Sequence, residues 1–205
     1  MEKFIALTAT ACLLDLVNID TDQLLPARFL KLPRAVGLGQ YLLRDLRFDE
    51  TGQPRADFPL NRPECAGANI LVAGRNFGGG SSREAAVYAL YDFGIRCVIA
   101  SSFGDIFSQN SAKNGLLTAA VAEPEVLQIA AMLREAPATK LRVDLQAQTV
   151  EAAGKRCSFT IDPTRRMRLL NGWDDIALTQ SYREQISRFR QDDIRKRPWA
   201  GPPRT

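Results

Sequence analysis

The segment 69–93 constrains this chain more than any other. A short apolar run, ILVA at 70–73, enters a glycine-rich stretch, GRNFGGG at 74–80, and SSRE at 81–84 then opens a helical pattern to about Phe93, with Gly94 placed as a left-handed stop. A four-residue run with no polar alternation reads as a strand covered on both faces, and such strands belong to parallel sheets flanked by helices. The same alternation recurs: a strand at 97–100, a helix at 105–114 ending at Asn114-Gly115, a strand at 116–121, and a helix at 124–134 with Pro124 in its first turn. A strand is read at 4–7. Residues 141–144 and 157–161 read as a strand pair around a turn at Gly154, and 163–171 and 181–190 as late helices. Strands alternating with helices predict an α/β domain. The stretch 31–68 stands apart: with Pro33, Gly37, Gly39, Gly52, Pro54, Pro59, Pro63 and Gly67 it reads as a long loop, and loops of that length in compact domains are functional or partner-facing.

Composition narrows the chemistry. Apolar residues make up 45% and charged residues 24%, which excludes collagen-like and disordered classes. Histidine is absent, so Ser-His-Asp and Cys-His mechanisms and His-based zinc sites are excluded within the chain. Cys12, Cys65, Cys97 and Cys157 form no C-x-x-C pair and predict no metal or cluster site; they read as reduced thiols of a cytoplasmic protein. The N-terminus, acidic at Glu2 and interrupted by threonines, reads as a strand rather than an export signal, and no run of about 18 apolar residues predicts a membrane span. Of 27 Lys/Arg and 23 Asp/Glu, seven and three fall in 181–205, so the rest balances and the net charge of +4 sits in the C-terminal segment. A solvated helix and frayed end explain it better than nucleic-acid binding. The expected organisation is one domain at 1–190 and a basic, disordered tail at 191–205.

The chemistry concentrates in NFGGGSSRE at 76–84. Glycines bring backbone N–H groups close to a ligand, a helix N-terminus adds more of them, and Arg83 adds a fork suited to a carboxylate. No Lys precedes the serines as a P-loop requires, and Arg83 stands where a dinucleotide fingerprint needs its third glycine. The bland alternative makes Ser81 a helix N-cap and Glu84 its capping-box partner. That alternative leaves a triple glycine beside two serines and an arginine without explanation. A serine flanked by N–H groups and an arginine is a candidate base, because its alkoxide is favoured there.

The segment resembles the signature of the swivel domain in the aconitase and isopropylmalate isomerase family. Three further segments agree in family order: NIDTDQLLPARFLK at 18–31, SFGDIF at 102–107 followed by Asn110 and KNGLL at 113–117, and LLNGWDDI at 169–176. The resemblance implies a three-layer β/β/α swivelling domain of the aconitase C-terminal type. It implies a hydro-lyase subunit that isomerises isopropylmalate in leucine biosynthesis, in a heterodimer with a large subunit. Ser81 is then the catalytic base, Arg83 the carboxylate ligand, and Asn76, Gly80, Ser82, Asp20, Thr21 and Asp22 line the substrate cleft. For Asp20, Thr21 and Asp22 a turn or helix cap is an equal alternative, and Arg28 and Lys31 read as surface charges. No cofactor is expected in this chain; a [4Fe–4S] cluster is expected in the partner. The substrate would be a small dicarboxylate, with no membrane and no nucleic acid involved. Gly79 and Ala85 stand where the family usually has Cys and His, and the family's D-P-F-R-K-H is DPTRRM at 162–167. Related hydro-lyases acting on citraconate, maleate or homoaconitate, and a non-catalytic regulatory or RNA-binding relative, remain alternatives.

Overall fold

The computed structural model describes residues 1–80, 82–137 and 139–200. Among the described residues seven strands, β1 (Ala6–Leu14), β2 (Ile70–Ala73), β3 (Cys97–Ala100), β4 (Leu117–Val121), β5 (Lys140–Asp144), β6 (Thr149–Ala152) and β7 (Lys155–Thr160), close in the order β1-β2-β3-β4-β7-β6-β5. The helices are α1 (Thr21–Leu24), α2 (Arg44–Arg47), α3 (Glu84–Phe93), α4 (Asp105–Lys113), α5 (Glu123–Glu135), α6 (Pro163–Asn171), α7 (Asp175–Ser181) and α8 (Arg183–Lys196).

Strands β1 to β4 are parallel, and β5 to β7 join them by antiparallel pairing. Register sorts the side chains by period 2. Ile70, Val72, Cys97, Ile99, Leu117 and Ala119 turn toward Leu141, Val143, Val150 and Phe159 of the antiparallel strands, with Val126, Ile129 and Leu133 of α5 packed into the same core. Cys12, Leu14, Leu71, Ala73, Val98 and Ala100 turn the other way, beneath Ala86, Val87, Ala89 and Leu90 of α3. The two cores define the β/β/α layers, which is the expected fold class. All four residues of both β2 and β3 are buried because each face meets a core, which is why they read as unbroken apolar runs.

Most boundaries shift by one to three residues, and four elements differ more from their sequence reading. Strand β1 runs to Leu14 because its first half, 6–10, pairs with β5 and its second half, 11–14, with β2. Strand β6, short and of modest strand propensity, intervenes in the expected pair: β5 pairs with β6, and the turn at Gly154 (φ +79°) joins β6 to β7. Helix α7 follows Asp174, whose carboxylate accepts the Ala177 N–H at 2.7 Å. Helix α8 runs through Lys196, across the expected boundary at residue 190, and residues 201–205 lie outside the described residues.

The stretch 31–68 uses its apolar residues internally. It folds into single turns over α3, burying Leu38, Leu42, Leu43, Leu60 and Cys65. Gly39 sits so close to α3 that a Cβ there would lie 2.5 Å from the Phe93 nitrogen. No helix among the described residues is long and apolar enough to cross a membrane.

Candidate active site

Parallel strands deliver their C-terminal ends to one edge, and in α/β folds, barrels and open sheets alike, ligands bind in the loops at that edge. Here the loops after β1, β2 and β3 meet. The Asn18 and Gly78 N–H groups donate to the carbonyls of Arg75 (2.9 Å) and Ile19 (2.7 Å), and the Thr21 N–H donates to Gly79 O at 3.0 Å. On the other side Phe77 N–H donates to Ser102 O (3.0 Å) and Gly104 N–H to Phe77 O (2.9 Å). The glycine loop is therefore laced into both neighbours by backbone bonds.

Two glycines are demanded by geometry. Gly78 has φ +72°, and a Cβ there would lie 2.2 Å from the Phe107 ring; a Cβ on Gly104 would lie 2.4 Å from Gly78 O. Gly79 is different: it is not left-handed, and its nearest neighbours are the Asn76 side-chain atoms, beginning at 3.1 Å.

The sequence-expected residues that are described lie on the segments that meet at this edge. Asp22 of α1 is ion-paired with Arg83, whose side chain is largely covered. Gly80 is exposed, left-handed at φ +87°, and beside Asp20: a Cβ on Gly80 would be 3.4 Å from the Asp20 Cβ. Ser82 is exposed and Thr21 buried. Asn76, itself left-handed, accepts nothing from the glycines; its side-chain amide donates to Asn18 Oδ1 at 3.0 Å and its N–H to Ser102 Oγ at 2.9 Å. Ser81 lies outside the described residues.

A capping box is present, but at α1. Asp20 Oδ1 accepts the Gln23 N–H at 2.7 Å and Gln23 Oε1 accepts the Asp20 N–H at 2.9 Å. Helix α3 has Arg83 at its N-cap position, with no side-chain cap, and Glu84 as its first residue. Glu84 accepts from the Asn114 amide at 2.7 Å. That long-range partnership carried no local sequence signal. Arg28 pairs with Asp45 on the surface and lies over the Phe29 ring at 4.6 Å, and Lys31 is exposed.

Chemically, the edge combines an arginine held by a carboxylate, a glycine loop, and a helix start whose first N–H groups have no intrahelical partner. That set suits an anion. Among the described residues no three His, Cys, Asp or Glu side chains stand close enough to hold a metal ion. Cys12 and Cys65 lie side by side in the core, two thiols short of the ligand set a metal needs, and burial pushes the Cys97 thiol well above its ordinary pKa, away from the ligating thiolate.

The aconitase C-terminal domain family matches residues 1–124, and the LeuD_N family matches residues 128–163. The chain is 48% identical to the 3-isopropylmalate dehydratase small subunit of Rhodospirillum centenum over 201 residues, covering 98% of this chain and 99% of the relative. It is 45% identical to the small subunit of the same name from Sinorhizobium fredii, covering 98% and 100%. Among solved structures it is similar to a 3-isopropylmalate dehydratase of Methanocaldococcus jannaschii, with TM-score 0.64 and 23% identity over 90% of this chain and 99% of that one.

Proposed function

This chain belongs to the aconitase C-terminal domain family and, within it, to the small subunits of 3-isopropylmalate dehydratase, and we propose that it supplies the base and the carboxylate-binding groups of that hydro-lyase. The enzyme interconverts 2-isopropylmalate and 3-isopropylmalate in leucine biosynthesis, by dehydration and rehydration across two adjacent carbons. In the proposed division of labour, Arg83 holds a substrate carboxylate, oriented by Asp22. Ser81, as alkoxide, takes the proton from the carbon next to a carboxylate. The electron pair left behind forms the double bond as the hydroxyl departs from the neighbouring carbon. Readdition of water with the two positions exchanged returns the proton from Ser81. Asp20, through its capping box, fixes the α1 turn that carries Thr21 and Asp22 to the cleft, and Asn76, Gly80 and Ser82 complete this wall.

The residues described here do not fit an iron–sulfur cluster. A [4Fe–4S] cluster on the large subunit would supply the Lewis acid for the leaving hydroxyl. The partner is therefore the large subunit, with the cleft lying between the two chains. Four free cysteines, Cys12 and Cys65 adjacent yet unbridged among them, support a reducing, cytoplasmic setting.

The observation that carries this reading is the Arg83–Asp22 pair at the rim of the glycine loop, at the sheet edge where ligands bind. Its test is reconstitution with the large subunit and Ser81→Ala. The rate should fall by roughly 10²–10⁴-fold, the contribution of a general base, with assembly unchanged. Near-parental turnover of an assembled Ser81→Ala complex removes Ser81 as the base. Parallel assays with citraconate, maleate and homoaconitate distinguish the sister hydro-lyases, and preference for one of them refutes the isopropylmalate assignment.

A further inference from the structure

Helix α4 touches the 74–84 segment at both of its ends. At its start, the Gly104 N–H donates to Phe77 O at 2.9 Å, and Phe107 lies against Gly78, with the Gly78 Cα too close to the ring to carry a Cβ. At its finish, the Asn114 side-chain amide donates to Glu84 Oε1 at 2.7 Å and to Asn110 O at 2.9 Å. A nine-residue helix is a rod about 14 Å long at roughly 1.5 Å per residue. The glycine loop is thus seated on one end of a rod, and the first residue of α3 is tied to the other.

Both N–H bonds of the Asn114 amide are occupied, and its backbone is pinned as well. Asn114 is the C-cap of α4, its N–H donating to Ser111 O at 3.0 Å, and Gly115 follows at φ +81°. Glu84, in turn, is the residue after Arg83. Arg83, at the N-cap position of α3, makes no side-chain cap bond. Glu84 is half-buried between Asn114 and the Tyr88 hydroxyl, whose pKa burial and Glu84 together push upward. A half-buried carboxylate costs free energy unless it is hydrogen-bonded, and the bond from Asn114 offsets that cost.

We infer that Asn114 is a positioning residue: through Glu84 it fixes the start of α3, and with it the distance from the Arg83 guanidinium to the glycine loop. The inference rests on the reading of Arg83 as the carboxylate ligand. The ion pair to Asp22 sets the direction of the guanidinium from the far side; Asn114 and Glu84 set where its backbone starts. Small errors in such a start are expensive, since a misplacement of about 1 Å can cost roughly 10²-fold.

The test uses the full chain reconstituted with its large subunit, comparing parent, Asn114→Ala, Glu84→Ala, their double variant and Glu84→Gln. Both alanine variants should raise the Michaelis constant for isopropylmalate about tenfold, with the double variant no worse than either single one. Glu84→Gln keeps an acceptor oxygen for Asn114 and should recover most of that loss. Glu84→Ala removes the same bond from the other side, so it carries the test if Asn114→Ala does not assemble. Alanine variants that melt at lower temperature but keep the parental Michaelis constant overturn the inference, as does a Glu84→Gln variant as impaired as Glu84→Ala. An inactive parental complex defeats the functional reading itself, and this inference with it.

Discussion

The Arg83 guanidinium is ion-paired with the Asp22 carboxylate, joining the loop that follows β2 to the helix that follows β1. Arg83 is the better covered of the two, with its side chain 22% exposed against 55% for Asp22. With Asp22 more than half exposed the pair is screened by solvent and adds little stability; its consequence is to orient a fork at the edge of the cleft.

The pair makes a prediction for ligand binding. Arg83→Lys keeps the charge but loses the planar fork, and Asp22→Ala keeps the fork but loses what orients it. Hydrogen bonds to charged groups contribute about 1.5–3 kcal/mol, so either change should raise the Michaelis constant by about tenfold to 10²-fold. The double variant should be worse than the singles by much less than their product. Steady-state kinetics of the reconstituted complex measure all three, and an Asp22→Ala enzyme with the parental Michaelis constant denies Asp22 its orienting role.

The glycines predict a graded response of the fold. Gly78→Ala drives a methyl into the Phe107 ring at a left-handed φ, whereas Gly79→Ala meets only the Asn76 side chain. Overpacking costs about 1–3 kcal/mol, and the backbone strain at Gly78 adds to it. Gly78→Ala should therefore melt well below the parent, by several degrees or fail to fold. Gly79→Ala, and Gly79→Cys toward the residue the family usually carries, should stay within a few degrees. Equal melting temperatures for Gly78→Ala and Gly79→Ala would contradict the geometry.

How much of this was legible follows from where each signal resides. Strand β3 and helix α6 have the bounds read from sequence because their signals are local: an apolar run covered on both faces, and Asp162-Pro163 at a helix start, where Asp162 accepts from Thr164 and Arg165. Strand β6 and helix α7 escaped because small residues and a single Asp174 cap are weak markers. The chemistry at 76–84 was legible as residue types. Its partnerships were not: Asp22 with Arg83, Gly78 with Phe107 and Glu84 with Asn114 are brought together only by the parallel crossovers. The capping box at Asp20 and Gln23 answers the alternative weighed for 20–22, a helix cap, whereas the alternative that made Ser81 an N-cap falls on a residue outside those described.

Arg47 predicts how the 31–68 stretch is held. It is only 8% exposed, and its guanidinium donates to Asn61 Oδ1 and to Leu42 O, each at 3.1 Å, while lying 4.7 Å from the Phe93 ring centre. Burial lowers its pKa, with Arg44 adding to the effect. Arg47→Met keeps the length of the side chain and strands both acceptors. Each buried acceptor left unsatisfied costs about 1–3 kcal/mol. Denaturant melts should show a loss of at least about that lower bound, and hydrogen exchange should place the loosening in 38–61. A variant as stable as the parent would show that the segment is held by its leucines alone.

Asp175 predicts acid sensitivity of the C-terminal helices. Its carboxylate meets Arg168 at 2.6 Å and Lys113 at 3.1 Å, fastening α7 to α6 and α4. The Arg168 bond first, and then the Lys113 bond, hold its pKa below the ordinary value of 3.8. A carboxyl whose pKa is depressed on folding stabilises the fold fully above its unfolded pKa and loses that contribution as pH falls through the lower folded value. The clasp should therefore be intact from neutral pH down to about 4 and release only below the ordinary carboxylate range. Asp175→Asn should loosen it already at neutral pH and remove the acid dependence. Hydrogen exchange of the α7 amides reports the release without requiring activity. Added salt should produce a weaker version of the same change, since the carboxylate is half exposed and screened by ions. If Asp175→Asn exchanges its α7 amides at the parental rate at pH 7, the helix is fastened by packing and the two ion pairs are incidental.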